Sequence, residues 1–453
     1  MQAFDAEKYT DPEMMAADFL AAFFGNQKIE YPINPFAFLK KEGILFILAD
    51  FHKLEGVYIP ATQTGDIPLV GINGNRPITR QRFTAAHELC HHFRDADKQI
   101  SCPISGKKNS TEQFAEKFAA AVLMPIQEMR AQVNKRKDHR GNVSFEDVLE
   151  IANYFGVSFE ACLFRIAYRI HAIEGNTEAA ELRKRSAKFK PDSVRKKKHM
   201  TYERLYADLI DNYTEQLAFK PNNHARYLFQ SEYIYNDSRM EGVEVTMDQA
   251  AEIVTDLRLN MQNSVYCREE NEAFLSIAGH YEMYNEIFAV PTRDTVSVFD
   301  IFGLNKKLFS HYPYPEYGGT VRQNNTLVIG AKFETVDYHE IYNELAQLDK
   351  EVREYYGRCH EMTVSEYIKH VIRTHHRLTV IHTFSDGNGR TARAFMNVQF
   401  VRAGLPPVYI LVEDKKDYVK ALARADKEGV YDDLYEIIFR ILIRSHVALS
   451  SNN

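Results

Sequence analysis

Apolar runs of strand length appear early in the chain, around Ile44 to Ala49 and Ile67 to Ile72, and almost everything after them repeats at helical spacing. Helix punctuation supports this division. Pro125 closes the apolar run Phe118 to Met124, and Thr246-Met-Asp-Gln249 has the spacing of a capping box. A helical run ends near Ile381, and a second runs from Arg390 to Ala403 before Gly404 and Pro406-Pro407, with Gly387-Asn388-Gly389 between them. From Glu174 to Met200 the apolar pattern fades, Pro191 interrupts and basic residues crowd. The pattern predicts a mainly α chain: an α+β domain over 1–173, a basic linker over 174–200 and an all-helical domain over 201–453.

Composition narrows the class. A chain of 453 residues exceeds what one core usually supports, and 45% hydrophobic residues is ample for burial. A net charge of −6 excludes a generally basic nucleic-acid binder. The run Arg183 to Lys198 is the one candidate for nucleic-acid contact, a solvated linker being the plainer reading. Five scattered cysteines fit reduced thiols, the start of the chain lacks an export pattern, and no run reaches membrane-span length. A cytoplasmic protein without a membrane segment is expected.

The densest chemistry lies in His382-Thr-Phe-Ser-Asp386-Gly387-Asn388-Gly389-Arg390-Thr-Ala-Arg393. Amides of a glycine turn at a helix start point toward an anion, and the helix dipole reinforces them. Arg390 and Arg393, three apart, share a face where guanidinium forks can clamp phosphate. Asp386 is a hard oxygen ligand suited to Mg2+, and His382 titrates where a general base should. A plain turn between core helices is the alternative. The segment resembles the Fic family pattern H-x-F-x-[DE]-G-N-G-R-x-x-R, with Thr383 where proline is usual. The resemblance implies transfer of AMP from ATP to a protein hydroxyl. It makes His382 the base, Asp386 the Mg2+ ligand, Gly387, Asn388 and Gly389 the anion hole, and Arg390 and Arg393 the phosphate clamps. Gly389, where a kinase-like branch carries lysine, favours AMP transfer.

Two more stretches resemble that family. Residues 318–333 read as a hairpin turning at Asn324-Asn325, similar to a flap on which a target protein docks by strand addition. An ordinary surface hairpin is the alternative. Asn236-Asp-Ser-Arg-Met-Glu241-Gly242 resembles the inhibitory motif [ST]-x-x-x-E-[GN], with Asp237 at the Ser/Thr place. The resemblance implies that Glu241 pairs with Arg393 and fills the γ-phosphate position; an exposed helix end is the other reading.

Toward the amino terminus, His87-Glu88-Leu-Cys-His91 places two histidines one helical turn apart, able to share Zn2+, with Glu88 beside them to polarise a water. Glu112 is the candidate third ligand, and Glu116, a turn later, could brace a ligand histidine. The region resembles the ImmA/IrrE family of gluzincin-like metallopeptidases. Arg80-Gln-Arg82-Phe-Thr and Phe118 to Pro125 match closely, while Cys90 and Glu116 depart from it.

Together these readings anticipate a protein adenylyltransferase using ATP, Mg2+ and Zn2+, autoinhibited by Glu241 and fused to a zinc-peptidase-like regulatory domain. The competing expectations are a metalloendopeptidase cleaving a repressor or other partner under Fic-domain control, a de-AMPylase, and a non-catalytic sensor at the amino terminus. A repressor or antitoxin is the expected type of further partner.

Overall fold

The computed structural model describes residue 6 and residues 8–63, 65–104, 109–217, 223–261, 271–289, 295–326 and 334–451. Two compact units divide the chain, Met1–Tyr213 and Thr214–Asn453.

Unit 1 begins with α1 (Pro12–Phe24) and α2 (Pro35–Lys41), each opened by a capping Asp11 or Asn34 and a first-turn proline. A four-stranded sheet follows: β1 (Leu45–Ala49), β2 (Leu54–Ile59), β3 (Leu69–Asn73) and, after α3, β4 (Ile100–Pro103), in the order β1-β3-β2-β4. β1 runs parallel to β3, and β2 is antiparallel to both β3 and β4. β1 and β3 occupy the runs read from sequence; the polar-rich β2 and β4 were not foreseen. α3 (Ile78–Arg94) packs on the sheet and on α4 (Ser110–Leu123), which Asn109 caps. Pro125 ends α4 and serves as N-cap of α5 (Ile126–Asn134).

The remaining helices of unit 1 are α6 (Phe145–Phe155) and α7 (Phe159–Arg165), α8 (Ala179–Ser186), α9 (Pro191–Lys197) and α10 (Glu203–Asn212). Leu182 of α8 is fully buried in the same core as Val148, Ile151, Phe155 and Leu163. Lys198 pairs with Glu146 at 2.9 Å and Glu150 at 2.8 Å, and Arg183 with Glu160 at 3.2 Å. The basic run is therefore largely helical and folded onto unit 1 rather than an open linker, because one buried leucine, Leu182, and local carboxylates suffice to dock it. Unit 1 also keeps α10, so the second compact unit starts after Tyr213 and not at 201. The Leu48 amide donates to the buried Tyr213 hydroxyl at 2.9 Å.

Unit 2 is helical: α11 (Asn223–Met240), α12 (Met247–Arg258), α13 (Glu272–Ala289), α14 (Asp300–Leu308), α15 (Ile341–Gly357), α16 (Val364–Ile381), α17 (Asn388–Arg402), α18 (Lys415–Glu428) and α19 (Asp432–Ser451). The capping box at Thr246 and Gln249 forms as read. α17 is buried along nearly its whole length, packed by α13, α14 and α16. Near its middle, Asn397 donates to the Val408 carbonyl at 2.8 Å and accepts from its amide at 2.6 Å. No helix among the described residues is long and apolar enough to cross a membrane.

One buried charge holds unit 1 together. Arg82 on α3 is 0% exposed and donates to the carbonyls of Ile33 (2.6 Å) and Gly156 (3.1 Å), with Asp208 at 3.8 Å. Arg82→Ala leaves those carbonyls without their donor and Asp208 without its ion-pair partner, and should cost about 3 kcal/mol or more. Urea unfolding followed in unit 1 should show a lower midpoint, with Arg82→Lys intermediate because its ammonium cannot fork.

Candidate active sites

In unit 1 the ligand-type atoms converge as the sequence suggested. His87 and His91, a turn apart on α3, bring their Nε2 atoms to 3.1 Å. Glu112 on α4 reaches His87 Nε2 at 3.2 Å and His91 Nε2 at 3.5 Å. All three are buried, at 1%, 0% and 8% exposure. Burial opposes charge on His91, yet hydrogen bonds to Asp95 and Glu112 outweigh it and push its pKa up to about 9. Burial acts against ionisation of Glu112 too, but both histidines hold its carboxyl far below the usual range. The cluster thus draws positive charge to its centre, and a nitrogen, nitrogen and carboxylate donor set fits Zn2+. The residue braced against a ligand histidine is Asp95, whose Oδ2 lies 2.9 Å from His91 Nδ1. Sequence reasoning offered Glu116 for that place; Asp95, four residues after His91, was the overlooked signal. Glu116 contributes favourable charge near His87. Glu88 is 0% exposed, and neither of its oxygens finds a hydrogen-bond partner. Burial raises its pKa to about 8. Cys90 is buried on α3 outside the ligand cluster.

In unit 2 the predicted string straddles the junction of α16 and α17. α16 ends at His382, which adopts a left-handed backbone with φ 53°. A non-glycine residue holds that conformation because Arg322 fixes it: its Nε donates to the His382 carbonyl at 2.7 Å and its amide to the Thr383 carbonyl at 3.1 Å. Arg322 also bonds the Val336 carbonyl. Burial holds the His382 pKa below its ordinary value, so the ring is neutral and proton-accepting near pH 7. Asn388 closes the loop, accepting from the Phe384 amide at 2.8 Å and donating to its carbonyl at 2.7 Å. Its side chain is thereby a staple, leaving only its backbone amide for an anion.

Gly387 caps α17 with φ 75°, and a Cβ there would meet Leu308 Cδ2 at 2.8 Å. Asn305, fully buried, donates to the Asp386 carbonyl at 3.2 Å and accepts from the Gly319 amide at 2.8 Å. It ties α14, the loop and the start of the flap-like segment together, a role sequence reasoning missed. The Asp386 carboxylate is 64% exposed at the cradle's edge and accepts from the Gly387 amide at 2.6 Å. Arg390 donates to Ser276 at 3.0 Å.

Arg393 is the most constrained group. Its NH2 donates to Glu241 Oε1 at 2.6 Å, and its Nε to the fully buried Asp237. Although burial works to raise it, Arg393 and His280 hold the Asp237 carboxyl down at about 2. His280 Nε2 lies 3.0 Å from Asp237 Oδ2, and its Nδ1 lies 2.9 Å from Ser238 Oγ. Partial desolvation works to raise the carboxyl of Glu241, which lies just beyond the end of α11 with its side chain 34% exposed, but Arg393 and then Arg390 hold it below the usual carboxylate range. A Cβ on Gly389 would fall 2.7 Å from Glu241 Oε1, so only glycine leaves room for this contact. Of the flap-like hairpin, the described part pairs Val321 with Phe384 as an antiparallel bridge. Residues 327–333, its second arm, lie outside the described residues.

These features gather a histidine, a glycine-capped helix start and two arginines in one unit, and a buried His-His-Glu cluster in the other. Residues 39–167 match the IrrE N-terminal-like domain, a metallopeptidase-type family, and residues 295–400 match the Fic/DOC family. The chain is similar to protein adenylyltransferase fic-1 of Caenorhabditis elegans, 25% identical over 248 residues, covering 55% of this chain and 46% of that protein. Protein adenylyltransferase Fic of Nematostella vectensis is 25% identical over 43% of either chain. The chain spans about half the length of these relatives or less. Among solved structures, a Fic-domain-containing signalling protein from Bacteroides thetaiotaomicron superposes with a TM-score of 0.45 at 21% identity, covering 55% of this chain and 96% of that one. Fic-1 of C. elegans gives 0.46 at 18%, covering 73% and 97%.

Zinc titrated into chelator-treated full-length protein should raise the melting transition of unit 1. The gain should be about 2.7 kcal/mol at a hundred times Kd, and His91→Ala should abolish it.

Proposed function

We propose that unit 2 transfers AMP from ATP to a Ser, Thr or Tyr hydroxyl of a target protein, and that Glu241 restrains this transfer. The observation that carries the reading is the placement of Arg393. It sits one turn into α17, behind the glycine cradle, with its guanidinium occupied by a carboxylate where a phosphate would compete.

The first amides of α17 have no intrahelical partner and suit phosphate oxygens. Arg390 adds charge beside them. Asp386, whose carboxylate is open to solvent, suits a phosphate-bridging Mg2+, which would neutralise charge developing on the phosphates. His382 is held neutral and is fixed by Arg322, so it can accept the proton of the attacking hydroxyl. The oxygen then bonds the α-phosphorus as the bond to pyrophosphate breaks. Positioning does most of the work, since the residues supply little covalent chemistry. A target segment laid beside Val321 would continue the pairing that Val321 begins with Phe384, using backbone bonds with little sequence demand. Removal of AMP would need Glu241 to place a water through Oε2, since Oε1 accepts from Arg393.

For unit 1, His87, His91 and Glu112 would hold Zn2+, which when bound supplies Lewis acidity. Glu88, buried and with no hydrogen-bond partner, is shaped to take a proton in peptide hydrolysis or to respond to a bound cation.

With α-labelled ATP and cell lysate, Glu241→Gly should increase label incorporation about tenfold or more. His382→Ala placed on that background should reduce it by about 10²–10⁴. Equal labelling by wild type and Glu241→Gly contradicts the restraint, and label absent from all variants contradicts the transfer.

A further inference from the structure

Among the described residues β4 is an edge strand, paired with β2. Its burial shows Cys102 turned inward, at 5% exposure. Cys102 stands opposite Gly56 of β2, so the two are neighbours on one face of the sheet. That face lies against α3. A Cβ on Gly56 would fall 2.4 Å from Thr84 Cγ2 and 2.6 Å from Glu88 Oε1. The absent side chain opens the space Glu88 enters, and Cys102 borders it. One ring nitrogen of His87, one carboxylate oxygen of Glu88 and Cys102 Sγ lie within 4.8 Å of one another.

We propose that Cys102 is a fourth ligand for the cation held by His87, His91 and Glu112, closing the position that a catalytic zinc leaves to water. The inference rests on the zinc reading of that cluster. Zinc accepts sulfur together with nitrogen and oxygen, and four protein ligands mark a closed site. Charge favours the arrangement. Two neutral imidazoles, one carboxylate and one thiolate cancel a divalent charge, which a fully buried site requires. The proton also has a destination. As the S–H bond breaks and sulfur bonds the metal, the proton is released to solvent, as happens when a metal takes a thiol ligand. β4 is held along one side only, so Sγ can close on the cation without breaking a ladder on the other side. A substrate peptide would then have to displace the thiolate, which makes unit 1 a guarded site.

Full-length protein stripped with chelator and loaded with Co2+ tests this. Thiolate ligation gives an intense near-ultraviolet sulfur-to-cobalt charge-transfer band beside the visible bands of a tetrahedral ion. Wild type and Cys90→Ser should show both, and Cys102→Ser should lose the charge-transfer band while keeping the visible ones. Visible bands without charge transfer in wild type, or a charge-transfer band surviving in Cys102→Ser, overturn the proposal. Cobalt bands absent from wild type overturn the zinc reading itself. Should Cys102→Ser fail to fold, iodoacetamide labelling of wild type read by mass spectrometry replaces it. Zinc should slow labelling at Cys102 about tenfold, and equal rates with and without zinc overturn the proposal.

Discussion

The buried guanidinium of Arg393 organises the second unit. A charge at 5% exposure has to be compensated, and two carboxylates from the end of α11 do so. Asp237 takes Nε and is itself held by His280, while Glu241 takes NH2. Because Arg393 belongs to the helix whose first amides form the anion cradle, the group best suited to a phosphate is also a fastening of the fold. On the proposed function, a nucleotide would compete with a contact inside the protein. Asp237 makes that competition steeper than a hydroxyl would, since it leaves a second full charge on the arginine when Glu241 withdraws.

Unit 1 follows similar electrostatics with the sign reversed. Two histidines and a glutamate are buried together, and their hydrogen bonds concentrate proton affinity on His91. The two nitrogens and the carboxylate gathered there form a donor set of the kind that suits a metal ion. Glu88 beside it has no partner, a cost of the kind folds retain at functional sites. Arg82 and the capped helices supply the rigidity that keeps these ligands in register.

Both candidate sites were legible because their residues are local in sequence: His87 and His91 share one helix turn, and His382 to Arg393 span a single junction. The Glu241 contact was legible through its motif, although Asp237 was read there as a departure when it is a partner of Arg393. What escaped were residues acting across long separations. Asn305 and Arg322 stabilise the His382 loop from elements far away in the chain, and ordinary polar residues carry no mark of such a role. β2 and β4 escaped because Glu55, Gly56 and Ser101 break the apolar pattern of buried strands. The basic run after residue 174 misled because its charges outnumber the one leucine, Leu182, that docks it. Its pairing with Glu146, Glu150 and Glu160 could not be read from spacing.

Competition for Arg393 is the central claim, and calorimetric titration of Mg2+ and ATP into full-length protein measures it without requiring turnover. Glu241→Gly should bind ATP about tenfold or more tightly than wild type, and Glu241→Gly with Asp237→Ser more tightly still, as each carboxylate ceases to compete. Identical affinities in all three proteins would contradict the account.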